Sequence, residues 1–220
     1  MRFYDHRHAG EELALRLFEW AADGDVTNRV VLALPRGGVP VAAEVARALK
    51  APLDVIVVRK IGAPGHPEMG IGAIAGEDPP VYDRQALERL GLAEDDLAAD
   101  IARERAELRR REDLYRSGRP APGLDGRTVI LIDDGLATGA TARAALRHLR
   151  SRNPARLILA VPVCAPQAAE TIRQDADDLI CLHQPSSFRA VGQWYEEFAQ
   201  VSDNEVIATL RRPGFISATP

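Results

Sequence analysis

Five short apolar runs, at residues 29–34, 53–58, 128–132, 156–163 and 178–182, constrain the fold of this chain more than any other feature. A short run with no polar alternation is the mark of a strand covered on both faces. Between the runs, residues 39–49, 141–149 and 167–173 carry apolar residues at helical spacing: Val41, Val45, Ala48 and Leu49 in the first, Ala142, Ala145, Leu146 and Leu149 in the second. Strands alternating with helices build a parallel sheet through crossover connections. The predicted fold is α/β, a doubly wound, mainly parallel five-stranded sheet flanked by helices.

Around this rhythm lie less regular stretches. Residues 9–22 read as a helix with Leu13, Leu17, Trp20 and Ala21 on one face. Residues 61–80 hold Gly62, Pro64, Gly65, Pro67, Gly70, Gly72, Gly76, Pro79 and Pro80, and read as a loop or short hairpin. Helical spacing returns at 84–90 and 94–117, where Leu97, Ile101, Leu108 and Tyr115 form one narrow seam suited to a helix lying across a domain surface. A Pro/Gly linker spans 119–126, and a tail helix at 202–210 has Ser202 or Asp203 as its N-cap. The chain reads as one domain over 1–220, with 61–125 a flexible loop and helical insertion and 183–220 a hood with a C-terminal helix.

A net charge of -4 argues against a general nucleic-acid binder. The arginines at 103, 105, 109, 110 and 111 interleave with Glu104, Glu107, Glu112 and Asp113, and Glu107 with Arg111 has ion-pair spacing, so a solvated face is expected there. Two cysteines, Cys164 and Cys181, both in or beside apolar runs, read as buried reduced thiols. The charged N-terminus lacks an apolar signal core, and no stretch approaches the roughly 18 apolar residues of a membrane span. A soluble, cytoplasmic protein without membrane contacts is expected. The five histidines show no metal-ligand spacing.

One loop carries chemistry. Val129-Ile130-Leu131-Ile132 delivers Asp133 and Asp134 to a strand end, and Gly135-Leu136-Ala137-Thr138-Gly139-Ala140-Thr141 then runs into a helix. In doubly wound sheets ligands bind at such ends. Backbone N–H groups at a helix start make an anion site, to which Thr138 and Thr141 add hydroxyls. Gly135 and Gly139 allow close approach, and the paired carboxylates accept from a sugar diol. A phosphate cradle beside a diol acceptor describes a ribose 5-phosphate site; a plain helix cap would need only one acid. The spacing is neither a Walker loop nor a G-x-G-x-x-G fingerprint.

The same residues resemble the signature of the type I phosphoribosyltransferases, which bind 5-phosphoribosyl pyrophosphate (PRPP). The resemblance implies that Asp133 and Asp134 hold the ribose hydroxyls, and that Gly135 and the segment Ala137, Thr138, Gly139, Ala140 and Thr141 hold the 5-phosphate. Leu34-Pro35-Arg36-Gly37-Gly38-Val39-Pro40 resembles the family's pyrophosphate loop, often built around an unusual cis peptide. Arg59-Lys60, read as closing the second strand, is similar to a family pair that contacts pyrophosphate. Arg36, Lys60, Asp133 and Asp134 are thus the expected catalytic residues, with Mg²⁺ carried by the pyrophosphate near Asp133 and Asp134. Residues 61–80 would be the closing loop. The segment Phe188 to Phe198 would form a hood, with Phe188, Trp194 or Tyr195 stacking on an acceptor; a core or dimer contact explains these aromatics equally well. A homodimer is implied by the family alone.

The implied reaction is displacement at ribose C1 by a nitrogenous acceptor such as a nucleobase, with pyrophosphate leaving. Relatives acting on 6-oxopurines carry an acid where this chain has Ala137, which argues against that subtype, whereas adenine-type relatives can carry Ala. Three alternatives stay open: a regulator that senses PRPP or a nucleotide without turnover, a nucleotide hydrolase or phosphorylase, and an unrelated doubly wound enzyme for another phosphorylated sugar.

Overall fold

The computed structural model describes residues 2–22, 28–212 and 214–215. In chain order the elements are α1 (His6–Ala22), β1 (Arg29–Ala33), α2 (Gly38–Leu49), β2 (Leu53–Val55), β3 (Val58–Ala63), β4 (His66–Ala75), β5 (Val81–Tyr82), α3 (Arg84–Leu90), α4 (Ala98–Arg116), β6 (Thr128–Ile132), α5 (Ala140–Arg150), β7 (Arg156–Val163), α6 (Pro166–Ile172), β8 (Asp178–His183) and α7 (Asp203–Leu210). Strands β2-β1-β6-β7-β8 form one sheet in that order, and every pairing in it is parallel.

Successive residues of each central strand supply opposite cores. Val31, Ala33, Ile130 and Ile132 pack with α1, α2 and α7, while Val30, Leu32, Val129 and Leu131 pack with α5 and α6. Apolar burial on both faces is why these strands are written without polar alternation.

One expectation needs correction. The run at 53–58 is not one strand. β1 ends at Ala33, and the last bond from the second run to it is Ile56 N–H to Ala33 O at 3.0 Å. Having lost its partner, the chain leaves the sheet and begins β3 at Val58. Arg59 and Lys60 therefore lie inside β3, opposite Ile74 and Ala73, and not at the carboxyl end of β2. Of the two readings of 61–80, a loop or a short hairpin, the structure shows the hairpin, β3 with β4. β3, β4 and β5 make a second, antiparallel sheet. Its glycines mark close cross-strand approach: a Cβ on Gly70 would stand 3.0 Å from Lys60 Cδ, and one on Gly72 2.9 Å from Val81 O.

The surface helix α4 is as expected. Leu108 and Tyr115 are buried along its seam, and Arg111 donates to Glu107 at 2.8 Å. Hydrogen bonds from Arg110 and Arg111 hold the Glu107 carboxyl down at about 2. Ser202 caps α7, its hydroxyl accepting from Glu205 N–H while Glu205 reaches back, a reciprocal capping box. Phe3 pairs with Tyr195, with Phe3 N–H to Trp194 O and Glu196 N–H to Phe3 O both at 2.8 Å.

Candidate active site

The site begins where β6 runs out. Asp133 and Asp134 follow Ile132 half-buried, and Asp134 N–H donates to Asp133 Oδ1 at 2.9 Å. Burial first, and the neighbouring Asp134 charge second, push the Asp133 carboxyl well above the usual carboxylate range. Leu136, the one large apolar residue of the loop, turns inward. Its N–H donates to Val163 O at 2.9 Å and its carbonyl accepts from Ala165 N–H at 2.8 Å. This tie pins the loop to the end of β7 and leaves Ala137, Thr138, Ala140 and Thr141 exposed.

Gly139 takes φ +79°, the left-handed region, and opens α5 without a side-chain cap. The first turn of α5 thus begins beside the exposed Thr138 and Thr141 hydroxyls, with Ala140 N–H reaching Thr138 Oγ1 at 3.5 Å. Two carboxylates stand at one end of this loop and the start of a helix at the other.

The loop after β1 packs directly onto the acids. A Cβ on Gly37 would fall 1.9 Å from Asp134 Oδ2, and one on Gly38 would fall 2.8 Å from Ile132 O and 3.0 Å from Asp133 Cα. The Pro35-Arg36 peptide is cis, as the resemblance implied. Arg36 shares a cleft of about 280 Å³ with His6, Gly37, Asp134, Phe198 and Gln200. Its guanidinium lies 3.7 Å from Asp203, which also accepts from Tyr115 Oη at 2.6 Å.

Arg59 and Lys60 do not join this cleft. They line another, of about 500 Å³, with Gly65, Asp100 and Arg103, and Arg59 is paired with Glu104 at 2.7 Å.

The hood residues divide. Tyr195 is buried, donates from Oη to Asp134 O at 2.5 Å, and has its ring against Phe3, His6 and Phe198. Its observed role is to brace the acid loop, and no ring face is left for an acceptor. Phe188 and Trp194 are half-buried and stacked on each other at 6.5 Å. Two more residues line the cleft: Phe198, 45 % exposed, at the end of the segment expected to form a hood, and His6, 7 % exposed, for which the sequence suggests no role. Both arrive through the pairing of Phe3 with Tyr195, for which no local signal exists.

Two expected results follow from this geometry. Tyr195→Phe leaves Asp134 O without its donor and should cost about 1 kcal/mol of stability in urea unfolding. Asp133→Asn should stabilise the ligand-free chain by roughly 1 kcal/mol at neutral pH, because it removes a crowded, desolvated charge. The raised carboxyl favours the native state fully below the ordinary carboxylate range, and that advantage is lost as pH rises through the raised value. The gap between variant and parent should therefore widen with pH; a gap independent of pH would contradict this reading of Asp133.

The phosphoribosyl transferase domain family model matches residues 3–199. A Mycobacterium tuberculosis protein provisionally named a phosphoribosyl transferase is 44% identical over 216 residues, covering 96% of this chain and 47% of its own length. The chain thus spans about half the length of the curated relatives it matches. The crystal structure of TT1426 from Thermus thermophilus superposes with a TM-score of 0.79 at 44% identity, covering 96% of this chain and 98% of that one. AQ2163 from Aquifex aeolicus, at 12% identity, TM-score 0.54, and 97% and 87% coverage, shares the fold.

Proposed function

The chain belongs to the phosphoribosyl transferase family, and on that footing we propose that it binds PRPP with Mg²⁺ and transfers the 5-phosphoribosyl group to a nitrogenous acceptor, releasing pyrophosphate. The observation that carries this reading is the joining of three features at one sheet end: the Asp133–Asp134 pair, the open start of α5, and the Arg36–Gly38 loop packed against both acids.

In the reaction the acceptor nitrogen forms a bond to ribose C1 as the bond from C1 to the pyrophosphate oxygen breaks. Asp133 and Asp134 hold the ribose hydroxyls, and the amides of residues 137–141 anchor the 5-phosphate. The substrate is fixed at two points and C1 is held in line. Arg36 stabilises the negative charge that builds on the leaving group. The adjacent carboxylates are hard oxygen donors of the kind Mg²⁺ uses alongside substrate phosphates, and the ion would neutralise charge on the pyrophosphate. Arg59, held by Glu104 in a separate cleft, is assigned no step, and neither is Lys60 beside it. Ala137 offers no charge to a base, which favours acceptors other than 6-oxopurines. We further propose a homodimer acting in the cytoplasm.

The test is release of pyrophosphate from PRPP and Mg²⁺ across a panel of nucleobases and other nitrogenous acceptors. Release that depends on one acceptor supports transfer. Ribose 5-phosphate formed from a nucleotide without pyrophosphate would indicate hydrolysis, and tight PRPP binding with no acceptor-dependent release would indicate a sensor; either result contradicts the transferase reading.

A further inference from the structure

His6, the first residue of α1, lies at the proposed ribose site without having been expected there. It is 7 % exposed, and its Nε2 is buried with no hydrogen-bond partner among the described residues. The anion facing that nitrogen is Asp134, whose Oδ2 is 3.4 Å away. A buried ring nitrogen without a partner is costly unless a neighbour or ligand completes it.

The ring has little freedom to turn elsewhere. It lies between Tyr195, at 5.1 Å and 32°, and Phe198, at 5.0 Å and 30°. The start of α1 is fixed in turn by Asp5, which accepts from His8 N–H through its carboxylate at 2.8 Å and from Ala9 N–H through its carbonyl at 3.1 Å. Asp134 is enclosed as well: Tyr195 holds its carbonyl, and Gly37 lies so close that a Cβ there would overlap Oδ2. The Asp133 carboxylate accepts the N–H of its neighbour Asp134 at 2.9 Å.

We infer that His6 is a positioning residue, whose Nε2 donates to the Asp134 carboxylate and holds it in the orientation that receives a ribose hydroxyl. The inference rests on the PRPP reading of the site. The 3.4 Å separation describes the ligand-free chain, and such contacts tighten when substrate arrives. A carboxylate neighbour favours the tautomer with hydrogen on Nε2.

The test is calorimetric binding of PRPP with Mg²⁺ to the full chain and its variants, each checked by thermal unfolding. His6→Phe keeps a ring between Tyr195 and Phe198 but loses the nitrogen, and should weaken binding about tenfold, the scale of one charge-assisted hydrogen bond. In an Asp134→Asn background the same substitution should change affinity less than about twofold, since coupled residues do not act additively. His6→Gln places an amide nitrogen near where Nε2 stood and should bind within about threefold of the parent, whereas His6→Asn places it near Nδ1 and should match His6→Phe. The Gln–Asn comparison decides the matter if His6→Phe does not fold. Unchanged binding in His6→Phe, an equal loss in both backgrounds, or indistinguishable Gln and Asn variants would overturn the inference while PRPP binding by the parent stands. A parent chain without PRPP affinity would overturn the underlying reading and this inference together.

Discussion

Gly38→Ala is expected to lower the stability of the chain by about 2–3 kcal/mol, while Gly37→Ala is expected to cost less stability and to weaken PRPP binding tenfold or more. The two glycines are adjacent, yet a methyl group on each meets a different kind of atom. At Gly38 it would stand 2.8 Å from Ile132 O and 3.0 Å from Asp133 Cα, both main-chain atoms at the end of a central strand. Relieving that overlap means displacing the end of β6 or the start of α2, and both are packed into the core. At Gly37 the methyl would fall 1.9 Å from Asp134 Oδ2. A side chain can swing away where a strand cannot, but the group that swings is the one proposed to hold the ribose. Urea unfolding and PRPP titration on both variants separate the effects. Equal stability losses with equal affinities would show that the loop does not meet the acids as described.

The sheet was legible because its strands are covered on both faces. Val30 to Ala33 and Val129 to Ile132 send alternate residues into two separate cores, so every position is apolar and the run stands out. What local pattern cannot supply is where a strand's partner ends. The 53–58 run keeps its β-branched character past Ile56, yet β1 has stopped at Ala33, and the rest of the run belongs to another sheet. That misplaced end put Arg59 and Lys60 at the close of the second strand, whereas both lie inside β3. Glycine in the same region left a loop and a hairpin open; at Gly70 and Gly72 it makes room for Lys60 and Val81 across a ladder.

Within the site, the 133–141 segment and the 35–38 loop could be read because each is a continuous piece of chain joining a strand to a helix. His6, Phe198 and Asp203 could not. They reach Asp134 and Arg36 only because Phe3 pairs with Tyr195 and because α7 packs against α2 and α4. Tyr195 stands out in the sequence as an aromatic, but its hydrogen bond to Asp134 O depends on the same pairing of Phe3 with Tyr195.

Replacing both acids should have the largest effect on binding. Asp133→Asn with Asp134→Asn keeps the shape of the loop, leaves the cradle of α5 intact, and turns two charged acceptors into neutral amides. Charge-assisted hydrogen bonds are roughly twice as strong as neutral ones, and each is worth about 1.5–3 kcal/mol. The measurement that tests the central claim most directly is therefore PRPP binding by calorimetry, with Mg²⁺ present, in the parent chain and in this double variant. Micromolar binding by the parent and a loss of at least roughly 2 kcal/mol in the variant are predicted. No binding by the parent, or binding indifferent to both aspartates, would contradict the account.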